Sequence, residues 1–281
     1  RGVRVLDLRH PSTLRPILEA AVAHANAQLS AWGIADRASV DETMSLLERL
    51  APRLLSLADD VGLAIHRAQK SDAAVLLEGA QGSLLDVDHG TYPFVTSSTT
   101  TSGGAAVGVG ISPRSLDRCL GVVKAYTTRV GQGPLPTELS EPLQSQMRKL
   151  GNEFGATTGR PRRCGWFDAV VVRYAVRVNG LTDLAVTKLD VLDTLDEIKL
   201  CTAYRVGSEV FTEFPGDLTM LEHAEPVYET FEGWRSPTGG ARSLGDLPSA
   251  ARTYLNRIEA LVEAPITYVS VGTRRDQIIG L

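Results

Sequence analysis

The chain has 281 residues, a formal net charge of −4 and 43% hydrophobic residues, enough to bury a large core as one big domain or two modest ones. Its mildly acidic balance excludes a general nucleic-acid binder, so any anion site has to be local. No apolar run approaches the roughly 20 residues that span a bilayer, and the opening RGVRVLDLRH lacks both a starting Met and a secretory layout, so the expectation is a cytoplasmic protein with no membrane partner.

That opening is apolar with no turn or cap ahead of it, the look of a fragment boundary or a processed end. Residues 11–33 carry apolar positions at helical spacing and end at Gly33; 40–69 do the same over a longer stretch, with Asp41 and Glu42 in the first turn. Two early helices should therefore pack together, with His24 and His66 as ordinary helical histidines. AAVLLEGAQGS (73–83) has the pattern of a buried parallel strand ending in a functional loop. Residues 78–110 are dense in Gly, Ser, Thr and Asp, and a loop of that length is usually functional when it also carries Leu84, Leu85, Tyr92 and Phe94. GGAAVGVG (103–110) lacks the Lys of a phosphate loop, and no Gly-Lys pair occurs anywhere in the chain. Residues 115–130 read as helix then strand, and 127–139 as a turn-rich connection. Residues 167–180 read as a helix stopped at Asn179-Gly180, 184–193 as a buried strand with a polar end, and 197–221 as short antiparallel strands. The pattern closes with a helix over 247–263 and a buried strand over 265–272. This alternation predicts an α/β fold with a large, mostly parallel central sheet, flanking helices and some short antiparallel strands, organised as a single domain over 1–281. Cys119, Cys164 and Cys201 are odd in number and far apart, which points to reduced thiols.

Three stretches carry chemistry. In TKLD (187–190), one carboxylate, Asp190, matches the paired N–H donors of guanine, and Lys188 can lay its stem along the base; an adenine would leave Asp190 unpaired. VSVG (269–272) offers backbone amides at a second strand end. FGATTGRPRRCGW (154–166) sets Arg160, Arg162 and Arg163 after small hydroxyl and glycine positions, a loop whose planar forks suit a small dianion. In EGAQG, Gln81 can bond a neutral carbonyl-bearing ring, and Thr96 in the following loop can hold a phosphate. Asp88-His89 reads better as a structural turn than as an acid/base pair.

EGAQGSLLDVDHGTYPFVTSS, GVVKAYTTRVGQGPLPTEL, GNEFGATTGRPRRCGWFDAV and AVTKLDVLD together resemble adenylosuccinate synthetase, and the resemblance runs from about residue 1 to 277. It implies a fold like that of P-loop NTPases and a ligase forming a C–N bond in purine biosynthesis. That enzyme joins IMP to L-aspartate through a 6-phosphoryl intermediate, with GTP hydrolysed and magnesium required. The resemblance puts Gln81, also in a supporting catalytic role, with Thr96 and Arg160 on IMP, and Ala156, Thr157, Thr158, Gly159, Arg160 and Arg162 on aspartate. It puts Arg162, Lys188, Leu189, Asp190, Ser270, Val271 and Gly272 on GTP, and Arg1 or Arg4 at a homodimer interface. Thr99, Ser102, Leu135 and the pair Thr273-Arg274 depart from the family's usual residues in loop detail. The family's amino-terminal third, with its first strand, GDEGKGK phosphate loop, metal ligand and catalytic Asp and His, has no counterpart in this sequence. The chain thus corresponds to the carboxy-terminal two-thirds, with no metal ligand of its own, and is expected to be inactive alone; a non-catalytic GTP-binding or interaction protein is the alternative.

Overall fold

The computed structural model describes residues 2–71, 73–155 and 159–281. They divide into two compact units, Arg1–Val75 and Leu76–Leu281, where the sequence suggests a single domain.

In the first unit a 3-10 turn (Val5–Arg9) leads into helices α1 (Pro11–Ala31), α2 (Val40–Ser56) and α3 (Val61–Lys70). The helix expected over 40–69 is therefore two helices. Ser39 caps α2 by accepting from the Glu42 N–H, and Asp60 caps α3 by accepting from the Leu63 N–H at 2.9 Å. A second capping side chain inside an apolar-periodic run restarts the helix, and periodicity does not report it. Leu8, Leu14, Leu18 and Met44 form the buried core of this unit, so the early helices do pack. His24 and His66 lie on α1 and α3.

The strand expected over 73–83 is not formed: residues 73–80 carry no regular structure, and Leu76 is 90% exposed. An apolar run favours burial, but a strand also needs a neighbouring edge to bond with, and among the described residues no strand pairs with this one. Beyond it come α4 (Ser102–Val109), β1 (Leu120–Lys124), β2 (Thr127–Arg129), α5 (Leu143–Leu150), β3 (Arg163–Gly165), β4 (Phe167–Asp168), α6 (Ala169–Asn179), β5 (Asp183–Thr187) and β6 (Glu197–Val206). They are followed by β7 (Glu209–Phe211), α7 (Thr219–Glu222), β8 (Glu225–Glu232), α8 (Ser249–Val262), β9 (Ile266–Ser270) and β10 (Ile278–Gly280). The glycine-rich stretch 103–110 is thus helical; it ends at Gly110 in the left-handed conformation, φ 72°.

The main sheet has the order β1-β5-β9-β10. β1, β5 and β9 run parallel, with Lys124 opposite Thr187 and Val186 opposite Val269, and β10 closes the edge antiparallel to β9. A second sheet pairs β4 parallel to β6, which also carries β7 and β8 antiparallel, and β2 pairs β3 antiparallel. The expected α/β class with a mostly parallel sheet and flanking helices is what forms. Helices α6 and α8 supply the crossovers and pack together. Tyr254, Leu255 and Ile258 of α8 bury against Leu184, Val186 and Val269 of the sheet, and the Tyr254 hydroxyl donates to the Ala125 carbonyl at 2.8 Å. Parallel strands have to be covered on their faces, which is why their sequences read as near-continuous apolar runs. The three cysteines are free, and burial pushes the Cys164 thiol up to about 11.

Candidate functional site

Because β1, β5 and β9 are parallel neighbours, Lys124, the 188–190 turn and the 270–272 exit lie along one edge of the sheet, its carboxyl edge. Open parallel sheets present their ligand loops at this edge. Lys188 follows β5 directly and sits in the left-handed region, φ 60°, where a non-glycine residue costs roughly 1–2 kcal/mol. Something has to hold it there. Its ammonium donates to the Gly151 carbonyl and, at 2.9 Å, to Glu153 Oε1.

Glu153 is fully buried and surrounded by donors. Lys124 Nζ reaches both carboxylate oxygens at 2.9 and 2.8 Å, Tyr126 Oη donates to Oε1 at 2.5 Å, and Arg162 Nη1 donates to Oε2 at 2.8 Å. Burial by itself would push the carboxyl up, but the bonds from Lys124, Tyr126 and Lys188 outweigh it and bring it down to about 2. The Lys124 ammonium shifts down because of burial, with Lys188 and Arg162 adding to that direction against the pull of Glu153. Gly151 has to be glycine: a Cβ there would lie 2.2 Å from Tyr126 Oη.

The two flanks of the arginine-rich stretch are held together. Phe154 and Pro161 bridge, the Gly155 N–H donates to the Arg160 carbonyl at 2.8 Å, and the Gly159 N–H donates to the Gly155 carbonyl at 2.8 Å, with Gly159 at φ 62°. The Arg162 N–H donates to the Glu153 carbonyl at 2.9 Å. The structure thus brings Arg162 and Lys188 to one carboxylate. Arg163 points elsewhere, paired with Glu138 and donating to the Gly133 carbonyl at 2.8 Å. Ala156, Thr157 and Thr158, three of the residues assigned to aspartate, lie outside the described residues, as does Arg1; Arg4 donates its N–H to Asp7 at 2.7 Å.

Asp190 is half-buried in the 3-10 turn Leu189–Leu192. Burial raises its pKa, Asp193 adds to the rise, and its own backbone N–H and Lys188 oppose it. Leu189 and Val271 are wholly buried in the main core, so only their backbone groups could meet a ligand, and the Val271 N–H already donates to the Gln277 carbonyl at 2.9 Å. Ser270 Oγ donates to the Gly272 carbonyl at 2.8 Å, and a Cβ on Gly272 would lie 2.2 Å from the Gln277 side chain.

Gln81 is exposed and takes a left-handed conformation, φ 64°, just before the 82–101 loop. Asp86, buried in that loop, accepts from the N–H groups of Asp88, His89, Thr100 and Thr101, at 2.6–3.3 Å. Those four bonds outweigh burial and lower its pKa. The Thr96 N–H donates to the Leu85 carbonyl at 2.8 Å. Asp86 settles Asp88-His89 as a turn. Among the described residues no group of three or more His, Cys, Asp or Glu side chains is placed to hold a metal ion, and no helix is long and apolar enough to cross a membrane.

Sequence reasoning missed Glu153, Lys124 and Tyr126. The available signal was one of charge: a lone acid immediately ahead of a loop with three arginines.

Such an arrangement, with polar loops gathered at the carboxyl edge of parallel strands, defines an α/β protein of the ligand-binding kind. The adenylosuccinate synthetase family model matches residues 1–279. An adenylosuccinate synthetase of Heliobacterium modesticaldum is 50% identical over 280 residues, 100% of this chain and 66% of that protein; one from Gloeobacter violaceus is 50% identical over 278 residues, 99% and 63%. A solved structure described as fully ligated adenylosuccinate synthetase from Plasmodium falciparum matches with a TM-score of 0.91 and 34% identity, covering 100% of this chain and 66% of that one. The chain belongs to the adenylosuccinate synthetase family, and it spans a little under two thirds of the length of these relatives.

Proposed function

We propose that these residues form the guanine- and aspartate-recognising part of a GTP-dependent ligase that joins IMP to L-aspartate in purine biosynthesis. The observation that carries this reading is the carboxyl edge of β1, β5 and β9, where Lys188, Asp190 and the 270–272 exit follow neighbouring parallel strands and Lys188 shares the Glu153 carboxylate with Arg162. In the proposed complex Asp190 accepts from the guanine ring N–H and exocyclic amine, the Lys188 stem covers the base, and backbone groups of Leu189, Ser270, Val271 and Gly272 frame it. Arg162 faces GTP and aspartate. Arg160 with Ala156, Thr157, Thr158 and Gly159 receives the aspartate carboxylates; Arg160 also reaches IMP, Gln81 contacts its 6-oxo region and Thr96 its phosphate. GTP is a co-substrate in this reading. Magnesium would supply charge neutralisation on the transferring phosphoryl group. A homodimer joined near Arg1 or Arg4, a cytoplasmic setting, the absence of nucleic-acid partners and the membership of both units in one family domain belong to the same proposal.

Asp190→Asn tests it. Xanthine carries a carbonyl where guanine carries the amine, so an amide at position 190 should bond xanthine and lose guanine. A charge-assisted bond contributes about 1.5–3 kcal/mol, so GDP affinity should fall roughly tenfold to a hundredfold while XDP affinity rises. Equal loss of both nucleotides, or no change in either, would show that Asp190 does not read the base.

A further inference from the structure

We propose that Glu153 is a positioning residue that couples Arg162 to the base-recognition turn, so that an anion engaging Arg162 and a guanine engaging Lys188 and Asp190 strengthen each other's binding. This inference rests on the proposed guanine and dicarboxylate site and goes beyond it by assigning a role to a residue that touches neither ligand.

The two carboxylate oxygens are divided between the two sides: Lys188 is on Oε1 and Arg162 on Oε2, while Lys124 bridges both. A shift of the Arg162 guanidinium therefore pulls on the same rigid group that fixes the Lys188 ammonium. The carboxylate is 0% exposed, whereas the Lys124, Arg162 and Lys188 side chains are 23%, 28% and 33% exposed, so each cation shows one side to Glu153 and another to solvent. Three cations around one anion leave a surplus of positive charge, more than an ion pair kept only for stability requires. The backbone is shaped to the same end. Lys188 is held at φ 60°, Asn152 at φ 48°, and Gly151 leaves room for the Tyr126 hydroxyl that completes the donor set. Strained positions of this kind persist only where their surroundings over-determine them, and they cluster at ligand clamps.

The test measures GDP affinity by the fluorescence of an N-methylanthraniloyl GDP probe on the full chain, with and without saturating L-aspartate. Glu153→Gln removes the shared charge. Because that leaves three cations without a counter-charge, Glu153→Gln combined with Lys124→Met is measured beside it; losing one charge of each sign keeps the net charge of the cluster. In the native protein aspartate should tighten GDP binding by about fivefold or more. In this double variant, folded by circular dichroism, that ratio should collapse to one. A role confined to stability would lower the melting temperature and leave the ratio intact, and that result overturns the inference while leaving the site reading in place. A native protein that binds GDP with no effect of aspartate overturns it equally. A native protein that binds no GDP overturns the site reading, and the inference falls with it.

Discussion

Glu153 accepts hydrogen bonds from Lys124, Tyr126, Arg162 and Lys188, side chains that range from 29 residues before it to 35 residues after it in the sequence. Its carboxyl is held at about 2, below the ordinary glutamate value of about 4.3. A depressed folded-state value means that its contribution to stability is complete above about pH 4.3 and is lost as pH falls towards 2. Tyr126→Phe removes one donor to a charged acceptor, so at pH 7 it should lower the unfolding free energy by about 1.5–3 kcal/mol. The difference from the native protein should shrink as denaturation is repeated at pH 4, 3 and 2, because the carboxyl that Tyr126 serves is then being neutralised. A difference that stays constant with pH would show that Tyr126 acts by packing alone. Lys188 and Asp190 were candidates from the sequence because TKLD places them two residues apart at the end of one strand. Glu153 was not legible, because its partners Lys124, Tyr126, Lys188 and Arg162 converge only after β1, β5 and residue 162 are brought together by the fold.

Among the elements, α6 shows what local sequence can specify. Asp168 caps its start, accepting from the Val170 and Val171 N–H groups at 3.1 and 3.2 Å, and Gly180 ends it in the left-handed conformation, φ 60°. Open space surrounds the position that a Gly180 Cβ would take, so Gly180→Ala isolates the conformational cost. Chemical denaturation should show a loss of about 1–2 kcal/mol, and Gly180→Asn, which tolerates this region better, should lose less. Equal stability of the two variants would place the cost elsewhere. The same local logic made β5, β9 and α8 readable, since an apolar run with a glycine or polar exit describes them almost completely. It failed at 57–60, where the Asp60 cap splits one periodic stretch into α2 and α3. It failed at 73–80, whose apolar residues announce burial but not a partner. It also failed at β8, which the reading of 197–221 stopped short of: its alternating pattern makes sense only against β6, with Tyr228 opposite Cys201 and Phe231 opposite Ile198.

At the scale of the whole molecule, the placement of guanine at the carboxyl edge makes a prediction about where the chain opens. A ligand that binds only the native state stabilises it by RT ln(1 + [L]/Kd), about 2.7 kcal/mol at a hundredfold excess over Kd. That increment applies only to those openings that destroy the site. Local openings elsewhere leave GDP bound, and their exchange rates do not change. Hydrogen exchange with and without GDP should therefore slow, by up to about a hundredfold, at amides of 124–126, 151–155, 187–193 and 270–272. The β7 amides pair with β6 in the other sheet, around Tyr204 to Val206, so their local opening should proceed at an unaltered rate. Slowing confined to β6, β7 and β8 would move the nucleotide away from the main sheet. Slowing at 187–193 without 151–155 would separate the base site from Glu153, because the bond between Lys188 and Glu153 joins the two segments. A base seated at Asp190 cannot be released without disturbing the turn that Lys188 begins, so the two stretches should respond together.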